Sequence, residues 1–179
     1  MMMLKEGRIF CTILEGSILL LFCIALIYAS WQDRKYQRVK RSIWYVCCFL
    51  GMFLILLCWP FIGEGGGIKL CFRKCYLEIL IDVLCFWWLQ MHLFAKMYGK
   101  ADCFAFGCCS LIFAAYGGGM FLYLCHMLIS VFLMGIVQAF HKNIGKNGNL
   151  KKPVAFIPYI SKAFLVCLLV MEYLKCYRM

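Results

Sequence analysis

The feature that most constrains this chain is a series of long apolar runs, at residues 9–30, 43–62, 76–95, 103–117, 119–140 and 154–174. About 20 apolar residues in a helix cross the hydrocarbon core of a bilayer. Backbone groups there meet no water, so each run must satisfy its own hydrogen bonds as a helix. The expected fold is an all-α integral membrane protein: one domain over residues 1–179, a bundle of about six transmembrane helices. The fourth run is the shortest. It ends at "AAYGGGMF", where Gly117, Gly118 and Gly119 are expected to turn the chain. The alternative is one long broken helix over 103–140, which gives five spans.

Composition agrees with the runs. Hydrophobic residues make up 65% of the chain and charged residues 15%, against about 45–50% apolar residues in soluble domains. The formal net charge is +11. Nucleic acid is not an expected partner, because a binder carries its basic face on a folded domain. Here the basic residues sit in short loops, where they set topology and touch lipid headgroups. Ten of the 14 cysteines lie inside apolar runs (Cys11, Cys23, Cys47, Cys48, Cys58, Cys85, Cys108, Cys109, Cys125 and Cys167) and are read as small hydrophobes. No CxxC pair occurs, so no zinc site or other metal is expected. Cys71 and Cys75 share a loop and leave a disulfide open. The first run is read as a retained span, since it is long and a basic cluster follows it.

The loops differ in charge. Arg34, Lys35, Arg38, Lys40 and Arg41 follow the first run, Lys96 and Lys100 follow the third, and Lys142, Lys146, Lys151 and Lys152 follow the fifth. Six spans put these eleven residues on one side and Lys5, Arg8, Lys69, Arg73, Lys74, Lys175 and Arg178 on the other. The excess of Lys and Arg marks the cytoplasmic side, and both termini then face out. Asp33 closes the first span and Asp102 opens the fourth. Counting turn-arounds puts both at the cytoplasmic membrane surface, although 69 residues separate them.

Each aspartate alone has an ordinary reading: Asp102 as a helix cap, Asp33 paired with Arg34 or Lys35. Together they can do more. Two carboxylates within a few ångströms cannot both ionise easily and hold one proton between them. The ionised member activates a water and the protonated member polarises a peptide carbonyl, as in aspartic proteases. No metal and no cofactor is needed. The positive end of the fourth helix favours an ionised Asp102, so Asp102 is expected to be the lower-pKa partner.

"GKAD", Gly99 to Asp102, resembles the GxGD motif of type IV prepilin peptidases and archaeal preflagellin peptidases. "DRKYQRVKRSIW", from Asp33, is similar to the segment that carries the family's first aspartate, with Val39 at its hydrophobic position and Lys40 where the family usually has proline. "KKPVAFIPYISKAF" is similar to the family's proline-aromatic segment. Ala101 stands where the motif has its second glycine. The resemblance runs nearly the whole chain in order and spacing. It implies a six-span inner-membrane aspartic endopeptidase with Asp33 and Asp102 catalytic, its site facing the cytoplasm. Gly99 and Ala101 would shape the approach of substrate, and Pro158 and Tyr159 would open the last span beside the site. The implied substrate is a prepilin-like precursor: a basic leader, a glycine, then an apolar helix. The chain has neither the extra N-terminal domain nor the paired CxxC motifs of the methylating peptidases, so methylation is not expected. Oligomeric state is not indicated.

Other polar residues have local readings. Glu15, Glu78 and Asp82 lie near the outer ends of their runs and are read as solvated or paired. His126 is read as a hydrogen-bonded bundle residue, and His92 and His141 lie near the inner surface. Trp31, Trp44 and Tyr45 suit an interfacial belt. "EGGGIKL" and "YGGGM" lack the lysine-serine/threonine ending of a phosphate loop. Two rivals to the peptidase stand: a catalytically inactive pilus or secretion assembly subunit, and a small ion-coupled transporter using Glu15 and Asp82.

Overall fold

A computed structural model describes residues 2–62, 76–144 and 155–177. Cys71, Cys75, the EGGGIKL stretch and Lys146 lie outside the described residues. Among the described residues six α-helices follow one another: α1 (Met2–Tyr36), α2 (Arg41–Ile62), α3 (Tyr76–His92), α4 (Lys100–Ala115), α5 (Met120–Ile144) and α6 (Ile157–Tyr177). A single 3-10 turn, Phe94–Lys96, bridges α3 and α4. No strand occurs among the described residues.

Each helix matches one apolar run, and α4 and α5 are separate helices rather than one broken one. Their turn is built by glycines. Gly117 N–H bonds Ala114 C=O at 2.9 Å and Gly118 N–H reaches back to Phe113 C=O at 2.8 Å, the paired closure of a helix C-terminus. Gly117 has φ +75°, a conformation that favours glycine. A Cβ on Gly118 would stand 2.7 Å from the Phe113 carbonyl oxygen. The chain then folds back, so that His126 of α5 meets the rings of both Phe106 and Phe113 of α4 with centroids 5.4 Å apart.

Helix α4 is the axis of the bundle. It packs against α2, α3, α5 and α6, and every residue from Ala105 to Ala115 is buried. Its small residues make this possible, because they let neighbouring backbones approach. A Cβ on Gly107 would lie 2.6 Å from the Trp87 ring of α3, and one on Gly51 of α2 would lie 2.8 Å from Leu111 Cβ. The surrounding helices are apolar on the outside instead: Phe49 is 69% exposed, Phe121 80% and Leu169 70%. In water such surfaces would be costly, whereas lipid solvates them.

Four helical segments are long and apolar enough to cross a membrane: Cys11–Tyr36, Arg41–Cys58, Leu77–Lys96 and Met120–Phe140. The expectation of about six spans is met in helix number, not in span length. Helix α4 has 16 residues, a rise of about 24 Å, short of a hydrocarbon core of roughly 30 Å. In α6 the apolar stretch is Ile157–Met171.

The cysteines pack as small apolar residues. Cys47, Cys58, Cys103, Cys108, Cys109 and Cys167 are buried, and the described cysteines form no disulfide among themselves. Cys48 and Cys108 share a hydrogen bond between sulfurs 3.4 Å apart, joining α2 to α4.

Candidate active site

Asp33 lies in the last turn of α1. The helix closes just beyond it: Gln37, in the left-handed region at φ 49°, donates its N–H to Asp33 C=O at 2.9 Å. The Asp33 side chain reaches across the bundle. Its Oδ2 accepts the Ile157 N–H of α6 at 3.2 Å, and the Phe156 N–H is also directed at the carboxylate. The first N–H groups of any helix lack intrahelical partners, and at α6 a carboxylate 124 residues away supplies one. Lys35 is not the partner; its ammonium sits 5.1 Å from the ring centres of Trp31 and Tyr36.

The seam between α1 and α6 holds this contact in place. One turn below, Ser30 and Ser161 share a hydrogen bond at 2.7 Å, and deeper in the bundle the rings of Phe22 and Phe164 pack at 5.3 Å. Pro158 is buried in the first turn of α6, where a missing N–H costs nothing. Tyr159 is half-buried, and its N–H bonds Phe156 C=O at 2.9 Å.

Asp102 lies in the first turn of α4. Its Oδ2 accepts the Gly99 N–H at 3.0 Å, and its own N–H returns to Gly99 C=O at 3.0 Å. These two bonds cap the helix on itself. Burial pushes the Asp102 carboxyl up to about 6; the Gly99 N–H opposes the shift, and the charge of Asp33 adds to it. This corrects the expectation that Asp102 is the lower-pKa partner: burial raises Asp33 as well, but Asp102 further. The helix end and the Gly99 N–H both favour the anion, but loss of water outweighs them.

The two aspartates share one end of the bundle: the stack of Tyr98 on Phe156 ties the segment that Asp102 caps to the start of α6 that Asp33 caps, and the charge of Asp33 bears on Asp102. Gly99 has φ −70° and ψ 154°, angles any residue adopts, so its freedom to bend is not what the site uses. What matters is proximity: a Cβ there would stand 3.2 Å from Asp102 Oδ2. Gly99→Ala is expected to fold with little change in stability and to displace the carboxylate by a few tenths of an ångström. Since a 1 Å misplacement costs about a hundredfold, any reaction that depends on this carboxylate is expected to slow by about tenfold or less, at constant thermal midpoint.

Ala101 lines a groove of about 380 Å³ between α2 and α4, together with Val39, Arg41, Trp44, Lys100 and Phe104. Lys40 has its N–H bonded to the buried Gln32 Oε1 at 3.1 Å. Proline has no such donor, so here Gln32 fixes the turn.

Sequence reasoning missed Gln32 and Tyr98. Tyr98 stacks on Phe156 at 5.2 Å and packs on Phe106 at 6.3 Å, tying the approach to α4 to the start of α6. Its place beside Gly99 was the available signal. Asp82 is not at this site. Its Oδ2 accepts the Met120 N–H of α5 at 3.2 Å, beside the Gly117–Gly119 turn at the opposite end of α4. His126 is buried among Phe106, Phe113 and Phe164, with Nε2 3.0 Å from the Ile160 carbonyl oxygen. Among the described residues, no group of three His, Cys, Asp or Glu side chains is placed to hold a metal ion.

Comparison with protein-family models, with curated proteins and with solved structures found no match.

Proposed function

We propose that the chain is a multi-pass aspartic endopeptidase of the inner membrane. In this reading all six helices are embedded, the Asp33–Asp102 end faces the cytoplasm, and the substrate is a prepilin-like precursor cut between basic leader and apolar helix. The observation that supports it is the pairing of Asp33 and Asp102 at one end of the bundle, with Asp102 raised to about 6. Neither Lys40 nor Ala101 removes a group that the chemistry uses.

The roles follow from the surroundings. Burial raises the Asp33 carboxyl too, but the Ile157 and Phe156 N–H groups at the positive end of α6 oppose that shift, and Asp33 is assigned the charge because Asp102 is the carboxyl pushed up to about 6. Asp102 carries the proton. Asp33 takes a proton from water, the hydroxide attacks the scissile carbonyl carbon, and Asp102 gives its proton to the carbonyl oxygen. The tetrahedral intermediate then collapses: its C–N bond breaks, the amine leaves with the proton held by Asp33, and the hydroxyl proton returns to Asp102.

Asp102 must be protonated to act. kcat/KM is therefore expected to fall as pH rises through about 6, since this ratio reports free-enzyme ionisations. Folding is linked in the same sense. The raised pKa favours the protonated form, so its stabilising share is complete below the ordinary aspartate range and lost as pH rises through about 6. Rates measured between about pH 5 and 8 check the first statement; a flat profile contradicts it.

The test of the function is co-expression with a tagged prepilin-like protein from the same genome, following leader removal by gel shift. Cleavage is expected. If several such precursors stay intact, the reading fails.

One observation favours a second reading, a catalytically inactive membrane assembly subunit. Asp33, Asp82 and Asp102 each accept a backbone N–H at a helix N-terminus, which is a structural use. A transporter reading gains nothing comparable, because Asp82 is already bonded to α5.

A further inference from the structure

The seam between α2 and α4 carries one thiol from each helix, Cys48 and Cys108, with sulfurs 3.4 Å apart. A cysteine that serves as a small apolar residue needs no second sulfur beside it. Here each thiol is the other's hydrogen-bond partner, and Cys108 Sγ also lies 3.8 Å from the Trp44 carbonyl oxygen. The two backbones run close together at this depth. One turn further on, a Cβ on Gly51 would lie 2.8 Å from Leu111 Cβ. A disulfide needs sulfurs at about 2.05 Å and Cα atoms no more than roughly 7 Å apart. The sulfurs have about 1.4 Å left to close, a movement that side-chain rotation supplies.

The two thiols differ in access. Cys48 is half-buried and Cys108 is 0% exposed. Cys48 stands about 10 Å along α2 from Arg41, inside a segment long and apolar enough to cross a membrane. Its neighbours Tyr45, Phe49 and Met52 are exposed on the outside of the bundle, where lipid solvates them. Glutathione keeps thiols reduced from the water phase and does not enter lipid. A reagent that meets Cys48 is therefore one dissolved among the acyl chains. An accessible thiol with a second thiol beside it to resolve the product is the arrangement of redox-sensitive cysteines.

We propose that Cys48 and Cys108 form a redox-active pair, converted by a lipid-borne organic hydroperoxide into a disulfide that joins α2 to α4. The Cys48 sulfur attacks the terminal peroxide oxygen. An S–O bond forms, the O–O bond breaks, and the thiol proton leaves with the organic alcohol. Cys108 then attacks the Cys48 sulfur: the S–S bond forms, the S–O bond breaks, and the hydroxyl leaves as water with the Cys108 proton. The peroxide gains the two electrons that the thiols lose, and a dithiol reductant reverses the change. The link lies about 9 Å beyond Asp102 along α4. It also lies next to the groove, because Trp44 and Phe104 of its wall each precede one of the cysteines by a helical turn. The proposal needs α2 and α4 in the bilayer and does not need the protease reading.

The test uses the full chain, reduced with dithiothreitol and reconstituted in saturated phosphatidylcholine vesicles. Cumene hydroperoxide, which dissolves in the bilayer, is compared with oxidised glutathione, which is charged and stays in water. The hydroperoxide is expected to remove two hydrogens from the intact mass, leave two fewer thiols open to alkylation after denaturation, and raise the thermal midpoint by roughly 5 °C or more. Dithiothreitol should restore all three, and oxidised glutathione should leave both thiols free. Cys48→Ser and Cys108→Ser should each abolish the disulfide, while Cys85→Ser, at an exposed site on α3, should not. Each variant is first checked for the parental midpoint in the reduced state. Fragmentation of the linked α2–α4 peptide locates the bond in the parent itself, whatever the variants do. Failure of the hydroperoxide to form the disulfide overturns the proposal. So does a disulfide that survives Cys48→Ser, or oxidation that ends in sulfinic acid on Cys48 with Cys108 still free. Equal reaction with oxidised glutathione would put the pair in water and also overturns it.

Discussion

On the proposed function, Asp33→Asn and Asp102→Asn are each expected to lower precursor cleavage by about 10²- to 10⁴-fold, the share a positioned acid or base contributes, and to leave the fold in place. Asparagine keeps a side-chain oxygen, so the Ile157 N–H at 3.2 Å and the Gly99 N–H at 3.0 Å retain their acceptors. What asparagine lacks is the carboxyl proton chemistry. Alanine separates the two roles. Asp33→Ala also strips the start of α6 of its acceptor, at a further cost of about 1 kcal/mol in stability, as for other lost caps. Activity should thus fall equally in Asn and Ala variants at position 33, while the thermal midpoint falls mainly in the Ala variant. Parental cleavage by both Asn variants would reduce the two aspartates to helix caps.

The second large effect is on folding. Gly107→Ala puts a Cβ 2.6 Å from Trp87 Cε2 and 2.9 Å from its Nε1. The indole must move, and its bond to Gly107 C=O, now 3.1 Å, is lost. Overpacking costs about 1–3 kcal/mol, and the lost hydrogen bond of this half-buried donor about 1 kcal/mol more. Gly135→Ala is the control, because nothing lies within 4 Å of a Cβ there; alanine's helix preference makes it neutral or slightly stabilising. Fluorescence-detected size exclusion after heating reads both. Equal midpoints for the two variants would mean that α3 and α4 do not meet as described.

The helices were legible because membrane burial writes itself into sequence as length and apolarity. The bounds of α2, α5 and α6 lie within a few residues of the apolar runs, and the Gly117–Gly119 turn was marked by its glycines. That Asp33 and Asp102 share one end of the bundle was legible from counting turn-arounds, which needs no knowledge of which helices touch. Everything that depends on helix neighbours was not. The bond from Ile157 to Asp33 requires α1 beside α6, and nothing in "YASWQD" or "FIPYIS" states that. The central place of α4 had one faint mark, the small residues of "KADCFAFGCCSLIFAA", which overall apolarity conceals. The sign of the Asp102 shift was misjudged for the same reason: helix-end charge is local and visible, whereas the burial that outweighs it is set by surrounding helices.

The account rests on Asp33 and Asp102 acting as a coupled pair. The most direct measurement is the titration of the Asp102 carboxyl by ¹³C NMR, in selectively labelled protein, compared between the parent and Asp33→Asn. Neither substrate nor cleavage is required. A parent midpoint near pH 6 that moves down when the Asp33 charge is removed is the predicted result. A midpoint in the ordinary aspartate range, or one unchanged by Asp33→Asn, would contradict the pairing and with it the proposed chemistry.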